Sequence, residues 1–202
     1  MALKKTLNWP RGLTPMFHLL KSLAQVLDKA KIPYMVIGGQ AVLVYGEPRL
    51  TRDIDLTLGV TPDALPEVLH LVSRADLQVL VDDPEEFVRR TWVLPTLHPE
   101  TGLRVDFVFS WTPYERQALQ RARKIEIAGY PVRFAAPEDI IIHKILAGRP
   151  RDLEDVRSIL RKQPVDRNLI RSWLKQFEDA LGKSFVETFE YIFHEEVSDG
   201  NA

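Results

Sequence analysis

Two aspartates one residue apart, Asp53 and Asp55, carry the clearest chemistry in the chain. They open the segment Asp53-Ile54-Asp55-Leu56-Thr57-Leu58, where polar and apolar residues alternate as in a half-buried strand. Side chains two apart on a strand share a face, so the two carboxylates stand side by side while Ile54, Leu56 and Leu58 turn to the core. Such a pair repels itself unless a cation or solvent compensates. Mg²⁺ suits it, being a hard ion that takes oxygen ligands and commonly binds one or two carboxylates together with substrate phosphates. Upstream, Gly38 and Gly39 follow the apolar run Tyr34–Ile37 and precede a helical stretch at 40–45. Glycines there permit a tight turn with close backbone approach, and the free N–H groups of a helix start favour phosphate. Residues 34–59 thus offer a phosphate cradle and a metal platform joined by one helix.

A glycine pair, a helix, and then Asp53-x-Asp55 at a strand start together resemble the signature of the nucleotidyltransferase superfamily, the polymerase-β-like fold. The wording GGQAVLVYGEPRLTRDIDLTL is especially similar to the minimal bacterial branch that includes abortive-infection (AbiE-type) toxins. The resemblance spans residues 33–160. It implies an α+β fold, a small mixed sheet flanked by helices, with a C-terminal helical bundle. The family pattern often has Ser after the glycine, whereas this chain has Gly39 and then Gln40. Phosphate contact then falls to the backbone amides of Gly38 and Gly39, or to Arg49 and Thr51.

The resemblance extends to three further residues. Asp106, at the centre of RVDFV, stands where the family carries a third acidic residue on a neighbouring strand. That residue helps to hold the catalytic metal with the first two and can accept the proton of the attacking hydroxyl. The plainer reading of Asp106 is a solvent-facing carboxylate on an edge strand. The segment APEDIIIHKILAGRPRDLEDV is similar to the family motif of a Lys followed by an Asp. There the Lys binds nucleotide phosphates, which points to Lys144, and the Asp contributes to the active site. Asp152 and Asp155 both fit, and a spacing of three puts them on one helix face; Asp152 is the preferred one. The plainer readings are a snorkelling lysine and ordinary carboxylates at a helix start.

The implied reaction is Mg²⁺-dependent transfer of a nucleoside monophosphate from an NTP to a hydroxyl acceptor, with two metal ions held by Asp53, Asp55 and Asp106. The toxin resemblance points to an RNA 3′ end or a protein as acceptor and to an antitoxin as partner. A small-molecule acceptor of the antibiotic type is the alternative. An RNA acceptor would need a local basic patch, for which Arg116, Arg121, Arg123, Lys124, Arg149 and Arg151 are available. Two rival readings remain. Asp53-Ile-Asp55-Leu-Thr57 matches the DxDxT nucleophile motif of haloacid-dehalogenase-like phosphatases, but there an apolar strand precedes the first Asp, and here Arg49-Leu-Thr-Arg52 does. The fold could also serve as a non-catalytic nucleotide-binding or regulatory module.

The composition bounds these readings. The chain has 202 residues, 45% hydrophobic and 27% charged, and a net charge of −1. That is ordinary for a globular protein, and no global field draws it to nucleic acid. With no Cys, disulfides and thiolate metal sites are excluded. No apolar run reaches the roughly 18 residues of a membrane span, and the N-terminus lacks the apolar core of a signal peptide. The cytoplasm is the default location. His18, His70, His98, His143 and His194 form no HxH or HxxxH pair, and neither GxSxG nor GxxxxGK[ST] occurs.

The positioning elements follow from periodicity and caps. Thr14-Pro15, Thr61-Pro62 and Thr112-Pro113 each read as N-cap followed by proline at the first helical position. They predict helices over 16–30, from 61 to about 74 and from 112 to about 119. A further helix is expected over 82–90, where acidic residues lead and Arg89-Arg90 end. Alternation predicts hairpins over 92–109 and 125–134. Helices are expected from 136 to 148 and over 152–160, 164–177 and 183–193, with 195–202 frayed. The organisation expected is a nucleotidyltransferase domain over 1–135 and a helical region over 136–202 that completes the active site.

Overall fold

The alternating segment at Asp53 becomes the central strand of a seven-stranded mixed sheet. The computed structural model describes residues 14–48, 51, 53–110 and 112–198. In chain order the elements are α1 (Thr14–Lys29), β1 (Tyr34–Ile37), α2 (Gly38–Tyr45), β2 (Asp53–Leu58), a 3₁₀ turn (Pro62–Ala64), α3 (Leu65–Arg74), β3 (Gln78–Val79), α4 (Pro84–Thr91), β4 (Val93–His98), β5 (Leu103–Phe109), α5 (Pro113–Arg121), β6 (Arg123–Ile127), β7 (Tyr130–Phe134), α6 (Pro137–Ala147), α7 (Pro150–Lys162), α8 (Arg167–Leu181) and α9 (Val186–Ser198). Arg49, one of the expected phosphate contacts, lies outside the described residues.

These elements fall into two compact units, one formed by Met1–Ile37 with Arg52–Phe134 and the other by Gly38–Thr51 with Ala135–Ala202. The second therefore takes in a segment that the sequence reading placed with the sheet.

The first unit holds the whole sheet, in the order β3-β4-β5-β2-β1-β7-β6. β2 runs antiparallel to β1 and parallel to β5, and β1 runs parallel to β7. The expected hairpins are β4–β5 and β6–β7. Tyr34, Met35 and Val36 are buried on both faces of β1, as suits an inner strand written as a continuous apolar run. β2 buries Ile54, Leu56 and Leu58 and leaves Asp53 exposed and Asp55 half-buried. Leu20, Leu23 and Leu27 bury one stripe of α1. Asp28 at its end accepts from the Tyr130 hydroxyl at 2.9 Å and pairs with Arg133, which ties α1 to β7. The Arg133 guanidinium also lies 5.4 Å from the centre of the Tyr34 ring, and burial above all pushes the Tyr34 phenol up to about 12.

The second unit packs α2 among α6 and α7, with α8 and α9 beside them. α2 is buried almost all round, including Gln40. α8 starts after Asp166, whose carboxylate accepts from Leu169 N at 3.0 Å, and ends at the left-handed Gly182.

Two expectations about elements change, and one strand is added. The Thr61-Pro62 signal produces a 3₁₀ turn, and α3 begins only at Leu65, with no side-chain cap; Thr112, by contrast, forms a full capping box with Glu115. The added two-residue edge strand β3 is too short to leave a period in the sequence. The tail expected to fray continues α9 to Ser198, because Arg157 donates to Glu195 at 3.0 Å and Arg161 to Glu196 at 3.1 Å.

Candidate functional site

β2 and β5 run side by side in register, so that Asp53 lies opposite Arg104 and Asp55 opposite Asp106. Paired residues of a parallel ladder share a face, and so do residues two apart on one strand. Asp53, Asp55, Asp106 and Arg104 therefore form a two-by-two patch on the open face of the central strands. The inward residues Ile54, Leu56, Val105 and Phe107 are buried beneath it. This is why the sequence alternates here: the apolar set anchors both strands and holds the carboxylates outward.

Charge on the patch is managed by Arg104. Its Nε donates to Asp106 Oδ1 at 2.8 Å, with the Asp106 side chain 18% exposed and that of Arg104 49% exposed. That hydrogen bond, opposed by a little burial and aided by the charges of Asp106, Asp53 and Asp55, raises the Arg104 pKa. One guanidinium thus sits in the field of three carboxylates. Hard carboxylate oxygens on one face are the donor set that Mg²⁺ takes, so the residues fit the expected ion in kind. Among the described residues, however, no three Asp, Glu or His side chains are drawn together as a ready metal cage. The expected trio shares a face, and Asp106 is turned to Arg104.

Asp53 also opens β2 rather than ending an apolar strand, which removes the basis for the DxDxT phosphatase reading.

In the second unit, the expected phosphate turn forms the start of α2. Gly38 has φ +63°, in the left-handed region that glycine enters without strain. The far end of α2 is fixed by α7. Glu47 N donates to Ser158 Oγ at 2.5 Å, Lys162 Nζ to Gly46 O at 3.4 Å and Gln163 Nε2 to Tyr45 O at 3.1 Å. Gly46 leaves the room this needs, since a Cβ there would collide with Ser158 Oγ. Thr51 follows as a half-exposed residue.

Lys144 of α6 meets both aspartates between which the sequence left the choice open. Its Nζ lies 2.7 Å from Asp152 Oδ1 and 2.9 Å from Asp155 Oδ2, all three side chains being buried. Arg149 Nε adds a bond of 2.6 Å to Asp152 Oδ2. Burial acts to raise the Asp152 pKa, but the bonds from Arg149 and Lys144, with their charges, outweigh it and hold the carboxyl below its ordinary value. The spacing of three on α7 is what lets one ammonium bridge both carboxylates. Lys144 is thus embedded between carboxylates here, where phosphate contact had been expected. Arg149, counted for a basic patch, is engaged with Asp152.

The sequence reading missed Arg104. Its signal was present, two residues before Asp106 in an alternating strand, but its place opposite Asp53 depends on a strand pairing that bridges 51 residues of chain.

Residues 12–198 match the family described as nucleotidyltransferase of unknown function (DUF6036). No curated protein matches the chain. Among solved structures, the antibiotic-resistance factor ANT(2'')-Ia is similar at 19% identity, over 84% of this chain and 96% of its own, with a TM-score of 0.61. The same factor in complex with adenylyl-2''-tobramycin is similar at 18% identity, over 83% and 99%, with a TM-score of 0.59. An antigenic nucleotidyltransferase-like protein from Paracoccidioides brasiliensis is similar at 22% identity, over 83% and 88%, with a TM-score of 0.55. At these identities the likeness speaks to the fold.

Proposed function

Since the chain belongs to this nucleotidyltransferase family, we propose that it moves a nucleoside monophosphate from an NTP to a hydroxyl acceptor with Mg²⁺ held by Asp53, Asp55 and Asp106. The observation that carries this reading is the in-register pairing of Asp55 with Asp106, with Asp53 two residues away on the same open face. Bound there, the ion would offset the negative charge of the phosphates and help to orient them.

The chain's own groups have these roles. Asp106 accepts the proton of the acceptor hydroxyl. The hydroxyl oxygen bonds to the α-phosphorus, the bond from that phosphorus to the bridging oxygen breaks, and pyrophosphate leaves. Backbone N–H groups of Gly38 and Gly39 receive phosphate oxygens, with Arg49 and Thr51 as further contacts. Lys144 supplies positive charge toward the nucleotide phosphates, and Asp152 holds its ammonium in place.

The acceptor we propose is an RNA 3′ end or a protein hydroxyl, in the manner of a toxin restrained by an antitoxin. The similarity of residues 38–58 to the AbiE-type wording supports it. The fold likeness to the antibiotic-resistance factor seen with adenylyl-2''-tobramycin favours a second reading, a small antibiotic-type acceptor. One experiment separates them. The protein is incubated with Mg²⁺ and each α-³²P-labelled NTP in the presence of total RNA, cell lysate or a panel of aminoglycosides. Label reaching RNA or protein, and lost with Asp53→Ala, supports the first reading. Label reaching only the small molecules supports the second. Label reaching nothing, with no NTP binding by calorimetry, overturns the site.

A further inference from the structure

On the open face of β2 and β5, the fourth corner of the carboxylate patch is a cation. Arg104 lies opposite Asp53 in the ladder and two residues before Asp106 on its own strand. Neighbouring strands are about 4.8 Å apart and alternate residues about 6.6 Å apart, so Arg104 is a near neighbour of Asp53 and Asp106 on that face. It has taken Asp106 at 2.8 Å. An ordinary surface ion pair would join two side chains alone; this guanidinium also stands beside Asp53 across the ladder, on the face that carries Asp55.

We propose that Arg104 is a built-in counter-cation which holds Asp106 while no divalent ion is bound and must release it when one binds. This rests on the metal reading of Asp53, Asp55 and Asp106 given above. The patch is thereby kept stable without metal, and the divalent-ion concentration at which the site loads is set by competition with a residue of the chain. Arg104 is a positioning residue in this scheme: it acts on Asp106 and takes no part in bond making.

The competition has a signature that a merely structural pair lacks, because removing the arginine should improve ligand binding. Mn²⁺ is the probe, titrated by calorimetry and by its free-ion electron paramagnetic resonance signal into the full chain without nucleotide. Arg104→Gln should bind Mn²⁺ more tightly than the parent, by roughly three- to thirtyfold for one exposed, partly screened charge near a divalent ion. The gap should narrow at about 1 M monovalent salt, where the screening length falls to about 3 Å. Arg104→Lys, which keeps the charge, should stay within about twofold of the parent. Arg104→Thr, neutral and suited to a strand, is the second neutral variant should Gln fail to fold.

Neutral variants that bind Mn²⁺ no more tightly than the parent, while the parent does bind it and Asp55→Ala does not, overturn the counter-cation role and leave the metal site standing. Parent and variants that all fail to bind Mn²⁺, even with NTP present, overturn the metal reading and this proposal with it.

Discussion

The strand cluster at Asp106 and the helix cluster at Lys144 differ in how their charges are placed. On β2 and β5, three carboxylates act on a single guanidinium, on a face open enough that the Arg104 side chain is 49% exposed. Between α6 and α7, Lys144 and Arg149 face Asp152 and Asp155, and the lysine and both carboxylates are buried. The buried cluster is bonded internally, so removing one member leaves a buried charge uncompensated. The open cluster keeps its carboxylates at the solvent side of two strands, where they stay accessible. Burial tolerates charge only when it is paired, whereas exposure leaves a charged group to solvent.

That contrast can be broken from either side. The largest effect is expected on catalysis: Asp53→Ala or Asp55→Ala should lower nucleotidyl transfer by roughly 10³-fold or more, while the urea midpoint of unfolding stays near that of the parent. A variant that kept full activity in the labelling assay would remove the metal assignment. The converse holds for Lys144→Met, which leaves two buried carboxylates without their ammonium and should destabilise the protein by about 3–5 kcal/mol in urea unfolding. A Lys144→Met protein of parental stability that had lost NTP binding would instead make Lys144 a phosphate ligand first and a structural cation second.

Gly46→Ala should cost about 1–3 kcal/mol, since the added methyl meets Ser158 Oγ and turns it away from Glu47 N. Thermal unfolding of Gly46→Ala alone and with Ser158→Ala checks this, the double variant recovering part of the loss.

The smallest effect is a pH dependence. The Asp152 carboxyl titrates lower in the folded protein than its ordinary 3.8. Its contribution is therefore fully present above that unfolded value and fades as the pH falls through the lower folded one. Urea midpoints between about pH 6 and pH 2.5 should show a steeper acid decline for the parent than for Asp152→Asn, whose stability is lower but flatter with pH.

Much of the fold was legible because its causes are local. The alternation at Asp53–Leu58 and Leu103–Phe109, the Thr112-Pro113 start and the glycine closing α6 act within one strand or one turn, and the chain folds there as its spelling says; α8, expected to end at 177, runs on to Leu181 before Gly182 stops it. The outward direction of Asp53 and Asp55 follows from a period of two and needs no neighbour.

What the spelling left open depends on partners distant in sequence. The pairing of Asp55 with Asp106 is a register between strands, and a slip of one residue would turn Asp106 inward. The capture of Lys144 by both Asp152 and Asp155 needs α6 and α7 packed closely enough to bury all three. The assignment of Gly38–Thr51 to the helical unit follows from the anchoring of Tyr45, Gly46 and Glu47 on α7. Arg104 belongs with these. Its residue type was plain, but its role as partner to Asp106 in the field of Asp53 and Asp55 arises only where two strands meet. Periodicity fixes which way a side chain points, whereas strand register and helix packing fix which charges it meets, and those charges separate a structural ion pair from a site.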